Sequence, residues 1–176
     1  MKKYWRIYGA LLSVLIYIGC ASNKTEYDLP SATDTTKPEW VGTRKAARDT
    51  IFIVIHLPKT ETGGLDNSIQ KAQSELHTIL KNEIEIILRD YWDQKQIHHS
   101  ENAKFLLLSD LPLTLEQMMS HVTVSDGWEQ STDISILCAL DYEEFAEILM
   151  EDMGIKDRSF LSYFKRRMDE LANRYS

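Results

Sequence analysis

Residues 65–91, LDNSIQKAQSELHTILKNEIEIILRDY, decide how this chain folds. Leu65, Ile69, Ala72, Leu76, Ile79, Leu80, Ile84, Ile87, Leu88 and Tyr91 recur at three and four residues, which draws one apolar stripe along a helix. The spacing predicts a long helix over residues 66–92, about 27 residues, started by Asp66 or Ser68 as a cap. Lys71, Glu75, Lys81, Glu85 and Arg89 fall opposite the stripe and read as a solvated face. After Ile79 the stripe drifts from a strict heptad, which favours packing inside one domain over a coiled coil of copies.

Working outward, Ile51-Phe52-Ile53-Val54-Ile55-His56-Leu57 is a run of β-branched and aromatic residues ended by Pro58, a strand buried on at least one face. Gly63-Gly64 breaks the chain before the helix, and the folded part opens near Lys37-Pro38-Glu39-Trp40-Val41. Past the helix, residues 97–120 give mixed signals: Phe105-Leu106-Leu107-Leu108 fits strand or helix, and Thr114 is placed to cap a short helix through Met119. Val122 to Glu129 reads as a strand and Ile134 to Leu140 as its return, with a loop around Glu129 to Asp133. Asp141 is placed to cap a helix from Tyr142 to Met153, which Gly154 ends. From Ser159 to Tyr175 a second amphipathic helix carries Phe160, Leu161, Phe164, Met168, Leu171 and Tyr175 on one face. The simplest way to bury these stripes is an α+β fold: a small antiparallel sheet of about three strands, the long helix packed on one face, and two C-terminal helices.

The N-terminus reads differently. Lys2, Lys3 and Arg6 precede the apolar stretch Ala10 to Ile18, a charged region followed by an apolar one of about nine residues, against the roughly 20 that span a bilayer. Gly19-Cys20-Ala21-Ser22 then places a small residue before the cysteine, which resembles the lipobox read by bacterial lipoprotein signal peptidase, with Tyr17 where leucine is usual. That resemblance implies cleavage before Cys20 and a thioether-linked diacylglycerol on it; its two acyl chains, at roughly 0.8 kcal/mol per buried methylene, make a stable anchor. Ala21 in place of aspartate resembles lipoproteins sorted to the outer membrane in enteric-type bacteria. Residues 21–38 are rich in Ser, Thr, Asn, Asp and Pro, too poor in large apolar side chains to offset ordering, and read as a tether of about 20 to 25 Å. The expected organisation is a signal peptide over 1–19, the lipidated cysteine and tether over 20–37, and a single domain over 38–176.

Charge and cysteines bound the partners. The formal charge of −7 includes Lys2, Lys3 and Arg6, so loss of residues 1–19 leaves −10, which argues against nucleic acid and against electrostatic adhesion to anionic lipid. With Cys20 occupied by lipid, Cys138 has no disulfide partner, and its apolar setting makes it a small hydrophobe.

No catalytic pattern emerges. The histidines at 56, 77, 98, 99 and 121 lack ligand spacing, and no metal or cofactor is implied. Asp141, Glu143, Glu144, Glu147, Glu151 and Asp152 have the spacing of a solvated helix face rather than of two carboxylates in unlike environments. Thr62-Gly63-Gly64-Leu65-Asp66 lacks the lysine and third glycine of a phosphate loop. Trp40 and Trp128 are the candidate interface anchors, against the plainer reading that both cover edges of the sheet. Lys165-Arg166-Arg167 is a basic cluster that could meet an acidic partner, with a solvated helix face as the plainer reading.

The lipobox, the tether, the Pro38-Glu39-Trp40-Val41 entry, a strand, a long helix and a hairpin around Asp126-Gly127-Trp128 together resemble the 20-kDa membrane-associated lipoprotein family over residues 37–141. The resemblance implies an envelope lipoprotein without established catalysis. The expected function is therefore non-enzymatic: a protein held in the cell envelope, at the outer membrane and facing the periplasm or the cell surface, that binds or scaffolds another envelope component. Its alternatives are a lipid-anchored hydrolase of an envelope polymer, with His56 among acidic neighbours, and a structural lipoprotein that self-assembles through the helix of residues 66–92.

Overall fold

Ile134-Ser135-Ile136-Leu137-Cys138-Ala139-Leu140 is buried along its whole length, the mark of a strand covered on both faces. The computed structural model describes residues 37–42, 47, 49–62, 65–97 and 100–176. The expected signal segment, Cys20, the tether up to residue 36, Gly63, Gly64, His98 and His99 lie outside them. In chain order the elements are β1 (Thr50–Pro58), α1 (Lys59–Thr62), α2 (Leu65–Gln94), α3 (Glu101–Met119), β2 (Thr123–Glu129), β3 (Asp133–Asp141), α4 (Tyr142–Asp152) and α5 (Ser159–Arg174). β3 lies at the centre of a three-stranded antiparallel sheet between β1 and β2, so the fold is α+β with the expected sheet and helices.

The pleat sorts each strand between two faces. Ile51, Ile53, Ile55 and Leu57 of β1 and Ile134, Ile136, Cys138 and Leu140 of β3 enter one core with the stripe of α2. Leu76, Leu80, Ile84, Ile87 and Leu88 of that stripe are fully covered. Phe160, Phe164, Met168 and Leu171 of α5 and Phe145 and Leu149 of α4 complete the core. Burying each such side chain stabilises the fold by about 1.5–3 kcal/mol.

Helix ends follow local chemistry. Asp141 Oδ1 accepts from the amides of Glu143 (2.9 Å) and Glu144 (3.0 Å), so it caps α4. Past the other end Gly154 takes φ +65°, where a side chain would be strained. The start of α2 differs from expectation: the helix begins at Leu65, and Ser68 is inside it and fully buried rather than at its cap.

Residues 101–119 form one helix, which the sequence left open between strand and helix. Ser100 caps it by accepting from the Ala103 amide (3.2 Å), so Thr114 is an interior residue and not a cap. Thr114 instead donates to Asp152 Oδ2 (2.7 Å), tying α3 to α4. The helix runs through Pro112, whose ring faces solvent.

The basic cluster Lys165-Arg166-Arg167 is not a free cationic surface. Arg167 bonds Asp90 (2.6 Å) and Glu83 (3.3 Å) of α2, and Arg174 also pairs with Glu83. Lys165 stands 3.6 Å over the ring of Tyr142 and Arg166 is 5.4 Å from that of Tyr163. Burial works against the charge of Arg167, but its bonds to Asp90 and Glu83 outweigh that and raise its pKa. Arg167 and Arg174 join α5 to α2 because Glu83, although on the long helix, is turned inward with only 7% of its surface exposed.

Candidate interface on the open face of the sheet

The helices cover one face of the sheet. The other carries Phe52, Val54 and His56 of β1 beside Ala139, Leu137 and Ser135 of β3, since these residues are register partners. On β2 the register slips between Val124 and Asp126. Val124 stands opposite Cys138 and packs on the helix side, so strict alternation would send Asp126 into the same core. The extra residue, Ser125, turns Asp126 over instead: it pairs with Leu137, and Trp128 with Ser135, on the open face.

Onto this face folds the entry segment. Trp40 and Val41 pack with Val54 and Leu137 as a second small apolar cluster, with Phe52 and Trp128 half-buried at its margins. Trp40 keeps only 8% of its surface exposed, and its indole Nε1 donates to Asp126 Oδ2 at 2.8 Å. The other carboxylate oxygen of Asp126 accepts from the Gly127 amide (2.8 Å), so both oxygens are engaged. An apolar ring with one polar tip suits this position, as its body covers the sheet and its N–H finds an acceptor.

The two tryptophans singled out from the sequence therefore come to one face, but in unlike states. Trp40 is a buried plug, and Trp128 is half-buried at its margin. Phe52 and His56 extend the same surface along β1. Sequence reading missed the bond from Trp40 to Asp126, which spans 86 positions and depends on the slip at Ser125. The signal that could have suggested it was an aspartate standing inside the period-2 pattern of β2.

His56 Nδ1 lies 2.9 Å from Ser135 Oγ, the geometry a serine–histidine pair would need. Ser135 stands mid-strand with 1% of its surface exposed, so no reacting carbonyl can reach its oxygen, and the contact serves to satisfy a covered hydroxyl. Cys138 is likewise covered, and burial pushes its thiol up to about 12, far from a nucleophilic thiolate. His121 pairs with Glu144 (2.8 Å) at the surface. Among the described residues, no three His, Cys, Asp or Glu side chains gather as a metal site, and no helix is long and apolar enough to cross a membrane. No protein-family model, no curated protein and no solved structure matches this chain.

Proposed function

We propose that this chain is a non-enzymatic bacterial envelope lipoprotein, anchored by a diacylglycerol on Cys20, whose open sheet face binds another envelope component. The observation that carries the binding half of this reading is the convergence of Trp128, Phe52 and His56 on one sheet face beside the Trp40 plug. Half-buried aromatic side chains on a rigid sheet are suited to anchoring a partner, because little side-chain entropy is lost when they are covered. The lipobox-like Ile18-Gly19-Cys20-Ala21 carries the anchor half, and the resemblance to the 20-kDa membrane-associated lipoproteins points the same way.

A photo-crosslinking residue at position 128 tests the binding half in intact cells. Adducts should form from position 128, should not form from the exposed position 170 on α5, and should be lost with Trp40→Ala, which unplugs the face. Equal labelling from both positions would count against a specific partner. The anchor half is tested by metabolic labelling with a palmitate analogue, expected to be lost with Cys20→Ser. The rival, a hydrolase using His56, predicts turnover of an envelope polymer that His56→Ala abolishes.

A further inference from the structure

α3 is apolar on two faces. Leu111, Leu115 and Met118 enter the core, while Phe105, Leu106 and Leu113 point outward with 72%, 63% and 70% of their surfaces exposed. At 100° per residue these three lie within about one third of the helix circumference, with Ser109 between them. Beside Phe105, between α2 and α3, runs a shallow groove of about 350 Å³ where Arg89 and Lys104 stand.

We propose that this outer face of α3 rests in the interfacial region of the phospholipid bilayer that holds Cys20; the proposal rests on the lipid anchor proposed above. The three side chains offer on the order of 400 Å² of apolar surface, about half of the roughly 800 Å² per partner that a stable protein interface covers. A patch of that size is too small to hold a second copy and sufficient for a surface already tethered, since tethering makes the second contact intramolecular. Sixteen residues, 21–36, separate Cys20 from Lys37, and fully extended they reach no further than about 55 Å. A domain of this length is about 35–40 Å across, so the tether permits any side to face the lipid and the exposed apolar residues select which one does. Asp110 flanks the face and Glu116 stands in line with Phe105 at its C-terminal end, and both oppose anionic headgroups, so the lipid it fits is zwitterionic.

The test uses the full lipidated chain carrying Ser109→Cys, labelled with an environment-sensitive fluorophore; Cys138 is fully buried and stays unlabelled in the folded protein. In phosphatidylcholine vesicles the label should shift to the blue and be quenched by bromine-bearing acyl chains, whereas a label on Glu170→Cys should do neither. Adding Phe105→Ser, Leu106→Ser and Leu113→Ser should abolish the shift while the protein still floats with the vesicles. A label at 109 that stays water-like on a floating protein overturns the docking and leaves the anchor standing. A blue shift without vesicles, with 109–109 disulfides forming in the unlabelled Ser109→Cys chain under oxidation, overturns it in favour of a second copy. A wild-type chain that does not float sinks the anchor reading, and the docking with it.

Discussion

Cys138 shows how far one position can be read from its neighbours alone. Flanked by Leu137 and Ala139, it is fully covered, and its thiol is pushed up to about 12 by burial. The folded state thus holds its proton more tightly than the unfolded chain, whose thiol titrates near 9. A raised folded value means that this part of the stability is complete below about pH 9 and is lost as pH rises above it. Cys138 should accordingly resist thiol reagents at pH 8 until the chain is unfolded by urea, and Cys138→Ser should abolish the thiol-linked part of the alkaline loss of stability seen in urea midpoints. Asp126 shows the opposite case, a residue whose place no local pattern predicts. Asp126→Ala leaves the covered Trp40 N–H without its acceptor and should cost about 1–3 kcal/mol, with a red shift of tryptophan emission as the plug loosens. Unchanged urea midpoint and emission would show that the plug is held by apolar contact alone.

At the scale of elements, what could be read from sequence were those with a single period or a bounded apolar run. α2, α4 and α5 each carry one helical stripe, and β1 and β3 are short apolar runs bounded by turn residues, so their existence follows from pattern and length together. α3 carries no single stripe, because Phe105, Leu106, Leu107 and Leu108 place apolar residues on its inner and outer faces together. The candidate face was half legible: composition marked Trp40 and Trp128, but their meeting depends on β3 lying between β1 and β2 and on a one-residue slip. Two joints between elements carry predictions. Glu83 accepts from Arg167 and Arg174 under cover while Asp90 also holds Arg167, so Glu83→Ala removes charge-assisted bonds without stranding either guanidinium and should cost about 1.5–3 kcal/mol in urea unfolding. A loss well under 1 kcal/mol would mean that the joint behaves like an exposed ion pair. Asp157, between α4 and α5, pairs with Lys95 (2.9 Å) and accepts from Ser159 and Tyr91, which holds its carboxyl well below the usual carboxylate range. A lowered folded value gives stability that is present above the unfolded pKa near 3.8 and lost as pH falls below it. Melting temperature should therefore drop below pH 4, and Asp157→Asn should flatten that drop.

The whole molecule has to manage the edges of a three-stranded sheet, since among the described residues only β3 is paired on both sides. An open edge offers its N–H and C=O groups to another chain. On β1 the C-terminal residues answer this: the Val54 amide turns away from β3 and donates to the Tyr175 carbonyl at 2.8 Å, while Pro58 ends the strand without a donor. Deleting residues 173–176 removes that acceptor and bares an edge whose inner side is Ile51, Ile53, Ile55 and Leu57. The shortened chain should associate through β1 as concentration rises, seen by sedimentation velocity, while the full chain carrying Arg174→Ala should not. That control matters because Arg174 also pairs with Glu83, so destabilisation alone could expose apolar surface. Association of both variants would assign the effect to the α2–α5 joint, and association of neither would show that the edge of β1 is protected without the C-terminus.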